Sequence, residues 1–134
     1  MQPRMTDALP VLNSDDIVRV RQEVRRQAVA VGLSLVDQTK IVTAASELAR
    51  NLIDHAGGGV VQVELIEEGA RRGVRLAFED HGPGIVDVEK ALTDGYTTGK
   101  GLGLGLGGAR RLSNEFRIDT KVGEGTRITI ARWK

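Results

Sequence analysis

Four short signatures follow one another in a fixed order along this chain: Glu47 with Asn51, then Asp80-His81-Gly82-Pro83-Gly84, then Gly101-Leu102-Gly103-Leu104-Gly105, then Gly123-Glu124-Gly125-Thr126. Glycine at so many of these positions marks places where the backbone must turn sharply or pass close to another group, since only glycine lacks a Cβ and enters the left-handed region freely. Each piece alone is common. The set, in this order, is what constrains the chain.

A chain of 134 residues suits one compact domain with its own core and leaves little room for a second. The expected domain runs from residue 9 to 134, with residues 1–8 as a flexible N-terminus. Hydrophobic residues at 40% and charged residues at 28% exclude a disordered or membrane-embedded composition, and aromatics at 3% leave the core to Val, Ile, Leu and Ala. Lys plus Arg number 19 against 18 for Asp plus Glu, so a formal charge of +1 gives no reason to expect nucleic acid or a membrane surface as partner. With no cysteine and two histidines there is no disulfide framework, thiol nucleophile or convincing His-based metal cluster. No apolar run approaches the roughly 20 residues that span a bilayer, and a cytoplasmic setting is expected.

Leu9-Pro10-Val11-Leu12 predicts a short strand, confined by its proline to a sheet edge. Asn13 and Ser14 before Asp15 and Asp16 predict a helix start, and Ile17, Val20, Val24, Ala28 and Val31 give that helix one buried face up to Gly32. Ser34 with Asp37 opens a second helix, which carries Ile41, Ala44, Ala45, Leu48 and Leu52 and stops near Gly57. The period then changes. Val60 to Glu67 and Val74 to Glu79 predict a hairpin joined by residues 69–73, a modest helix follows from roughly Gly108 to Asn114, and Phe116 to Val122 with Thr126 to Trp133 predict a second hairpin. The expected class is α/β (α+β): a two-layer sandwich of helices on a mixed, largely antiparallel sheet.

Glu47 and Asn51 are four residues apart, so on the second helix they project from the same face one turn apart, beside Leu48 and Leu52. A carboxylate and an amide oxygen can then meet one ligand, although alone the pair reads more simply as a solvated helix surface. Asp80 ends an apolar strand, and Gly82 and Gly84 around Pro83 let the backbone come close to a flat ligand while the carboxylate accepts a hydrogen bond from an exocyclic amine. An ordinary turn after a strand is the competing reading. From Gly99 to Gly108 the chain is glycine, leucine and Lys100, which leads backbone N–H groups toward the following helix and favours phosphate, with Thr97, Thr98 and Lys100 adding hydroxyls and a charge. The alternate leucines argue against a plain flexible linker.

Two look-alikes fail on context. Gly103 to Gly108 satisfies G-x-G-x-x-G, but no strand runs directly into it and no βαβ unit surrounds it. Gly95-Tyr96-Thr97-Thr98-Gly99-Lys100 is one residue short of a Walker loop and has Gly101 where Ser or Thr is needed for magnesium. His55 and His81 read as capping or surface residues, and no chemistry is assigned to them.

With these residues in place, the chain resembles the gyrase, Hsp90, histidine-kinase and MutL (GHKL) ATPase superfamily from about Leu9 to Lys134. Glu47 and Asn51 are similar to its N box, and Asp80-Gly82-Gly84, Gly101-Gly103-Gly105 and Gly123-Gly125-Thr126 to its three glycine boxes. Ser46 to Asn51 followed by His55-Ala56-Gly57, with a short lid, resembles the RsbT type of anti-sigma regulatory serine/threonine kinase. The resemblance implies the Bergerat ATP-binding fold and ATP with Mg²⁺ as cofactors. Asp80 would read the adenine amino group with help from Thr126, Asn51 would hold Mg²⁺, and Glu47 would act as general base on a protein hydroxyl. Gly82 and Gly84 belong to the same site, and Thr97, Thr98, Lys100, Gly101, Leu102, Gly103, Leu104 and Gly105 would wrap the phosphates.

The expected activity is ATP-dependent phosphorylation of a STAS-domain antagonist protein in a bacterial stress-signalling partner switch, with binding of a downstream PP2C-type phosphatase or other effector. The alternative is an ATP-binding anti-sigma factor that sequesters a sigma factor. A true histidine kinase would need a dimerisation helix pair carrying the acceptor histidine, for which the residues before Leu9 are expected to be too few. A plain ATPase ranks last, since hydrolysis in that superfamily usually drives larger machines.

Overall fold

The computed structural model describes residues 4–5, 8–92 and 105–134. Its sheet is built outward from a long hairpin. β3 (Gly59–Glu68) and β4 (Arg71–Asp80) pair antiparallel from Val60 opposite Glu79 to Glu68 opposite Arg71. Only Gly69 and Ala70 remain as the turn, where five loop residues are expected from the apolar runs alone. The difference is electrostatic: Glu67 stands opposite Arg72 and Glu68 opposite Arg71, and such cross-strand pairs carry the ladder beyond its apolar part.

β6 (Gly125–Trp133) lies against β4, and β5 (Glu115–Lys121) against β6, as the second expected hairpin. The other edge of β3 takes β1 (Arg4–Met5) opposite Glu64 and Leu65, and β2 (Leu9–Val11) opposite residues 59–61. Pro10 is thus on an outer strand, where its missing N–H is tolerated. All these pairings are antiparallel. Of the N-terminal segment expected to be flexible, residues 1–3, 6 and 7 lie outside the described residues.

α1 (Ser14–Ala30) starts at Asn13, whose side chain accepts from Asp16 N at 3.2 Å. Asp16 is itself buried, and its carboxylate is satisfied by Leu12 N at 2.9 Å and Arg19 at 2.7 Å. Further along α1, a hydrogen bond from Arg26 holds the Glu23 carboxyl below its ordinary range, partly opposed by desolvation. α2 (Leu35–Ala56) starts at Ser34, which accepts from Asp37 N at 3.1 Å, and stops at Gly57 with φ 74°. There Gly57 N and Gly58 N close onto Ile53 O and Leu52 O.

The apolar faces of α1 and α2 meet one face of the sheet. Val20, Val24, Ile41 and Leu48 pack there against Val61, Val63, Leu76, Phe78 and Ile130 in a single core. The opposite face is polar, with Arg75 bonded to Glu64 and Arg127 to Glu79, each at 2.7 Å. Among the described residues two short helices follow, α3 (Val88–Ala91) and α4 (Gly105–Arg111). α4 begins three residues before the expected start because Leu106 and Ala109 are both buried and anchor it to the core. Arg132 reaches from β6 to Asp37 at 2.8 Å and to Leu112 O at 3.3 Å, tying the first turn of α2 to the end of α4.

Leu76 is fully buried at the centre of the sheet, so Leu76→Ala should cost about 2–5 kcal/mol in equilibrium urea unfolding. Arg127→Ala removes only an exposed ion pair and should cost less than about 1 kcal/mol in the same assay.

Candidate functional site

Helical spacing on α2 puts Leu48, Asn51, Leu52 and His55 along one side, and strand alternation puts Phe78 with Asp80 on β4 and Thr126 with Ile128 on β6. Asp80 and Thr126 are direct cross-strand partners. These side chains converge on a cavity of about 460 Å³, which residues 83–87, Lys90 and Ala91 of α3 and the start of α4 also line. Its walls are largely apolar, among them Leu52, Ile85, Leu106 and Ile128, and Asn51, Asp80 and Thr126 supply polar atoms.

The glycines bring three backbone segments closer together than any other residue would allow. Asp80 Oδ1 accepts from Gly82 N at 2.9 Å, which turns the chain directly after β4. At Gly82 an added Cβ would stand 2.6 Å from Ala56 Cβ, so this glycine seats the turn on the end of α2. Gly84 has φ 78°, and a Cβ there would stand 2.6 Å from Lys121 O. The same contact is stapled by Gly123 N, which donates to Pro83 O at 2.8 Å. Gly125, at φ 132°, lies directly on Asp80 O and 2.9 Å from His81 Cα, measured from its would-be Cβ. Strand end, turn and hairpin tip are therefore one packed unit.

Of the residues expected from sequence, Asn51, Asp80, Gly84, Gly105 and Thr126 line this one cavity. Gly82 does not line it, because its place is against α2. Glu47 is half-buried and also not among the lining residues, but it sits one turn before Asn51 and next to Leu48, both of which are. Thr97, Thr98, Lys100, Gly101, Leu102, Gly103 and Leu104 lie outside the described residues. His55, to which the sequence reading assigns no chemistry, lines the cavity four residues after Asn51, a relation visible in the helical spacing. Ile85, Val86 and Lys90 also line it, and no motif marks them. Thr126 is buried, and its hydroxyl is 2.8 Å from that of Thr120.

An apolar slot of this size, with a carboxylate and a hydroxyl in adjacent strands, fits a flat heterocycle that donates a hydrogen bond. The Asn51 amide oxygen is a suitable ligand for a hard cation. Among the described residues no group of three or more His, Cys, Asp or Glu is arranged to hold a metal ion.

Residues 36–134 match the family model described as histidine kinase-, DNA gyrase B-, and HSP90-like ATPase. The serine/threonine-protein kinase RsbT of Bacillus subtilis is 42% identical over 123 residues, 92% of each chain. An anti-sigma F factor of Anoxybacillus flavithermus is 35% identical over 106 residues, covering 74% of this chain and 71% of that one. A solved structure of RsbU and RsbW domains from Mycobacterium tuberculosis superposes over 100% of this chain and 33% of its own, with a TM-score of 0.66 and 22% identity, which shows a shared fold.

The contact at Gly125 is more demanding than the conformation alone. Gly123 has φ 84° with open space around it, so Gly123→Ala should cost about 1–2 kcal/mol for its backbone, whereas Gly125→Ala should cost at least about 1 kcal/mol more in thermal unfolding.

Proposed function

We propose, from the premise that the chain belongs to the histidine kinase-, DNA gyrase B-, and HSP90-like ATPase family, that its cavity holds ATP for transfer of the γ-phosphoryl group to a partner protein. The chain is a serine/threonine protein kinase of the partner-switching kind, in keeping with its similarity to RsbT along nearly the whole length of both. The observation that carries the reading is the convergence of Asn51, Asp80, Gly84 and Thr126, distant in sequence, on one apolar slot.

The division of labour follows from the chemistry of each group. Asp80 has one carboxylate oxygen held by Gly82 N and can accept a hydrogen bond from the adenine amine with the other. Thr126 adds a hydroxyl beside it. Asn51 offers a neutral amide oxygen, suited to Mg²⁺ that takes its other ligands from phosphates and water. Mg²⁺, when bound, would neutralise charge on the phosphates. Gly105 lines the cavity and, with Thr97, Thr98, Lys100, Gly101, Leu102, Gly103 and Leu104, is assigned to the phosphates. Glu47, a turn before Asn51, is assigned the role of general base, taking the proton of an incoming protein hydroxyl. The hydroxyl oxygen then forms its bond to the γ-phosphorus as the bond to the β-bridging oxygen breaks, and ADP leaves.

The substrate in this reading is a small STAS-domain protein, and a PP2C-type phosphatase is the downstream effector. A second reading, favoured by the similarity to anti-sigma F factor, has the chain also capture a sigma factor in an ATP-dependent way. Among the described residues no helix is long and apolar enough to cross a membrane.

Transfer of labelled γ-phosphate from Mg-ATP to a purified STAS-domain partner tests the kinase. Glu47→Ala should bind ATP within threefold of the parent chain and lose transfer by about 10²–10⁴-fold. Normal transfer by that variant removes Glu47 from the base role. Asp80→Asn should lose ATP binding in equilibrium dialysis, because an amide presents a donor where the adenine amine needs an acceptor. Stable co-purification of a sigma factor without any transfer would favour the second reading.

A further inference from the structure

The strand order β1-β3-β4-β6-β5 leaves β5 at an edge, and among the described residues no strand pairs with its outer side. The phase of the ladder fixes what that side carries. Lys134 N donates to Arg72 O at 2.7 Å, in register with the β4–β6 pairs, so even-numbered residues of β6 bond toward β4 and odd-numbered ones toward β5. Asn114 N, which donates to Ala131 O at 2.9 Å, agrees with that phase. Opposite the odd-numbered residues stand Glu115, Arg117, Asp119 and Lys121, which direct their backbone groups to β6. The N–H and C=O groups of Phe116, Ile118 and Thr120 therefore point outward. The side chains of Glu115, Arg117, Asp119 and Lys121 are all exposed and alternate in sign along the edge. We propose that this edge pairs with the same edge of a second copy of the chain, antiparallel about a two-fold axis at Ile118.

Such an axis sets Ile118 opposite itself and Phe116 opposite Thr120 of the second copy, so each outward N–H of this stretch meets a C=O. In the intervening pairs, where side chains approach more closely, Arg117 faces Asp119 of the second copy and Glu115 faces its Lys121. Both pairs are attractive. Other registers are open only in steps of two residues, because outward groups recur at every second position. A step one way sets Asp119 against Asp119 and Arg117 against Lys121. A step the other way sets Arg117 against Arg117 and Glu115 against Asp119. Like charges directly opposed destabilise a strand pair, so the pattern favours the single register with its axis at Ile118.

Charged side chains on an edge usually keep other strands away. A run of one sign would do so here, whereas this alternation repels a copy only in the wrong register. Arg117 binds Asp119 of its own strand at 3.0 Å and Lys121 binds Glu124 at 2.9 Å, and exposed pairs of this kind exchange at little cost. Main-chain hydrogen bonds supply the attachment, and the charges set its register. This pairing depends on the sheet alone and is independent of what the cavity holds.

Sedimentation velocity of the full chain over a concentration series provides the test. The parent chain should form a reversible dimer, and Asp119→Arg, which sets like charges at both central pairs, should weaken it by at least about tenfold. The chain carrying both Arg117→Asp and Asp119→Arg exchanges the two signs and should dimerise like the parent. Cross-linking reads the register, since the chain has no cysteine of its own. Under mild oxidation a mixture of the Arg117→Cys and Asp119→Cys chains should give a disulfide-linked pair, and neither should link to itself. A parent chain that stays monomeric up to millimolar concentration overturns the inference. A dimer that Asp119→Arg leaves intact, or an Arg117→Cys chain that links to itself as readily as to the Asp119→Cys chain, puts the contact elsewhere and overturns it as well.

Discussion

The register between β4 and β6 is the constraint on which the rest of the structure depends. It sets Asp80 opposite Thr126 on the helix-facing side and, at the same level, lays Gly125 directly on the Asp80 backbone. A slip of β6 by one residue would turn Thr126, Ile128 and Ile130 to the opposite face together, since side chains alternate along a strand. The core and the cavity would be lost in one step. The packing that stabilises the fold and the geometry that forms the site are therefore the same set of contacts.

α2 shows the same economy. Ile41, Ala44, Ala45 and Leu48 fill the core, and one turn further Asn51 and His55 extend that side of the helix into the cavity. Its two ends are fixed independently, by Ser34 and the Asp37–Arg132 pair at the start and by the left-handed Gly57 at the stop. A helix held at both ends and along its apolar side presents Glu47 and Asn51 in a defined relation, which the proposed transfer would require of both groups.

Local signals were legible in the amino-acid sequence because they depend on near neighbours. The caps at Asn13 and Ser34, the stop at Gly57, the apolar side of α1 and the two hairpins follow from spacing and from the conformational range of single residues. What was not legible depends on partners far along the chain. The turn at Gly69 is shorter than the apolar runs imply because Glu67 and Glu68 find Arg72 and Arg71 across the hairpin. Gly82 carries a motif signature, yet its closest neighbour is Ala56 rather than the cavity, and nothing local distinguishes the two uses of a glycine. Ile85 and Val86 form part of the site without any motif, since an apolar wall has no fixed spacing. The partnership of Thr120 with Thr126 and Ile85 exists only once β5, β6 and the turn after β4 have met.

The staple between Pro83 and Gly123, with Gly84 seated on Lys121, joins the turn after β4 to the tip of the second hairpin. Its consequence is one of preorganisation. The wall formed by Ile85 and the floor formed by Asp80 and Thr126 acquire their relative positions when the domain folds, so their conformational entropy is lost before any ligand arrives. A flat ring entering this end meets a finished surface and has no chain left to order there.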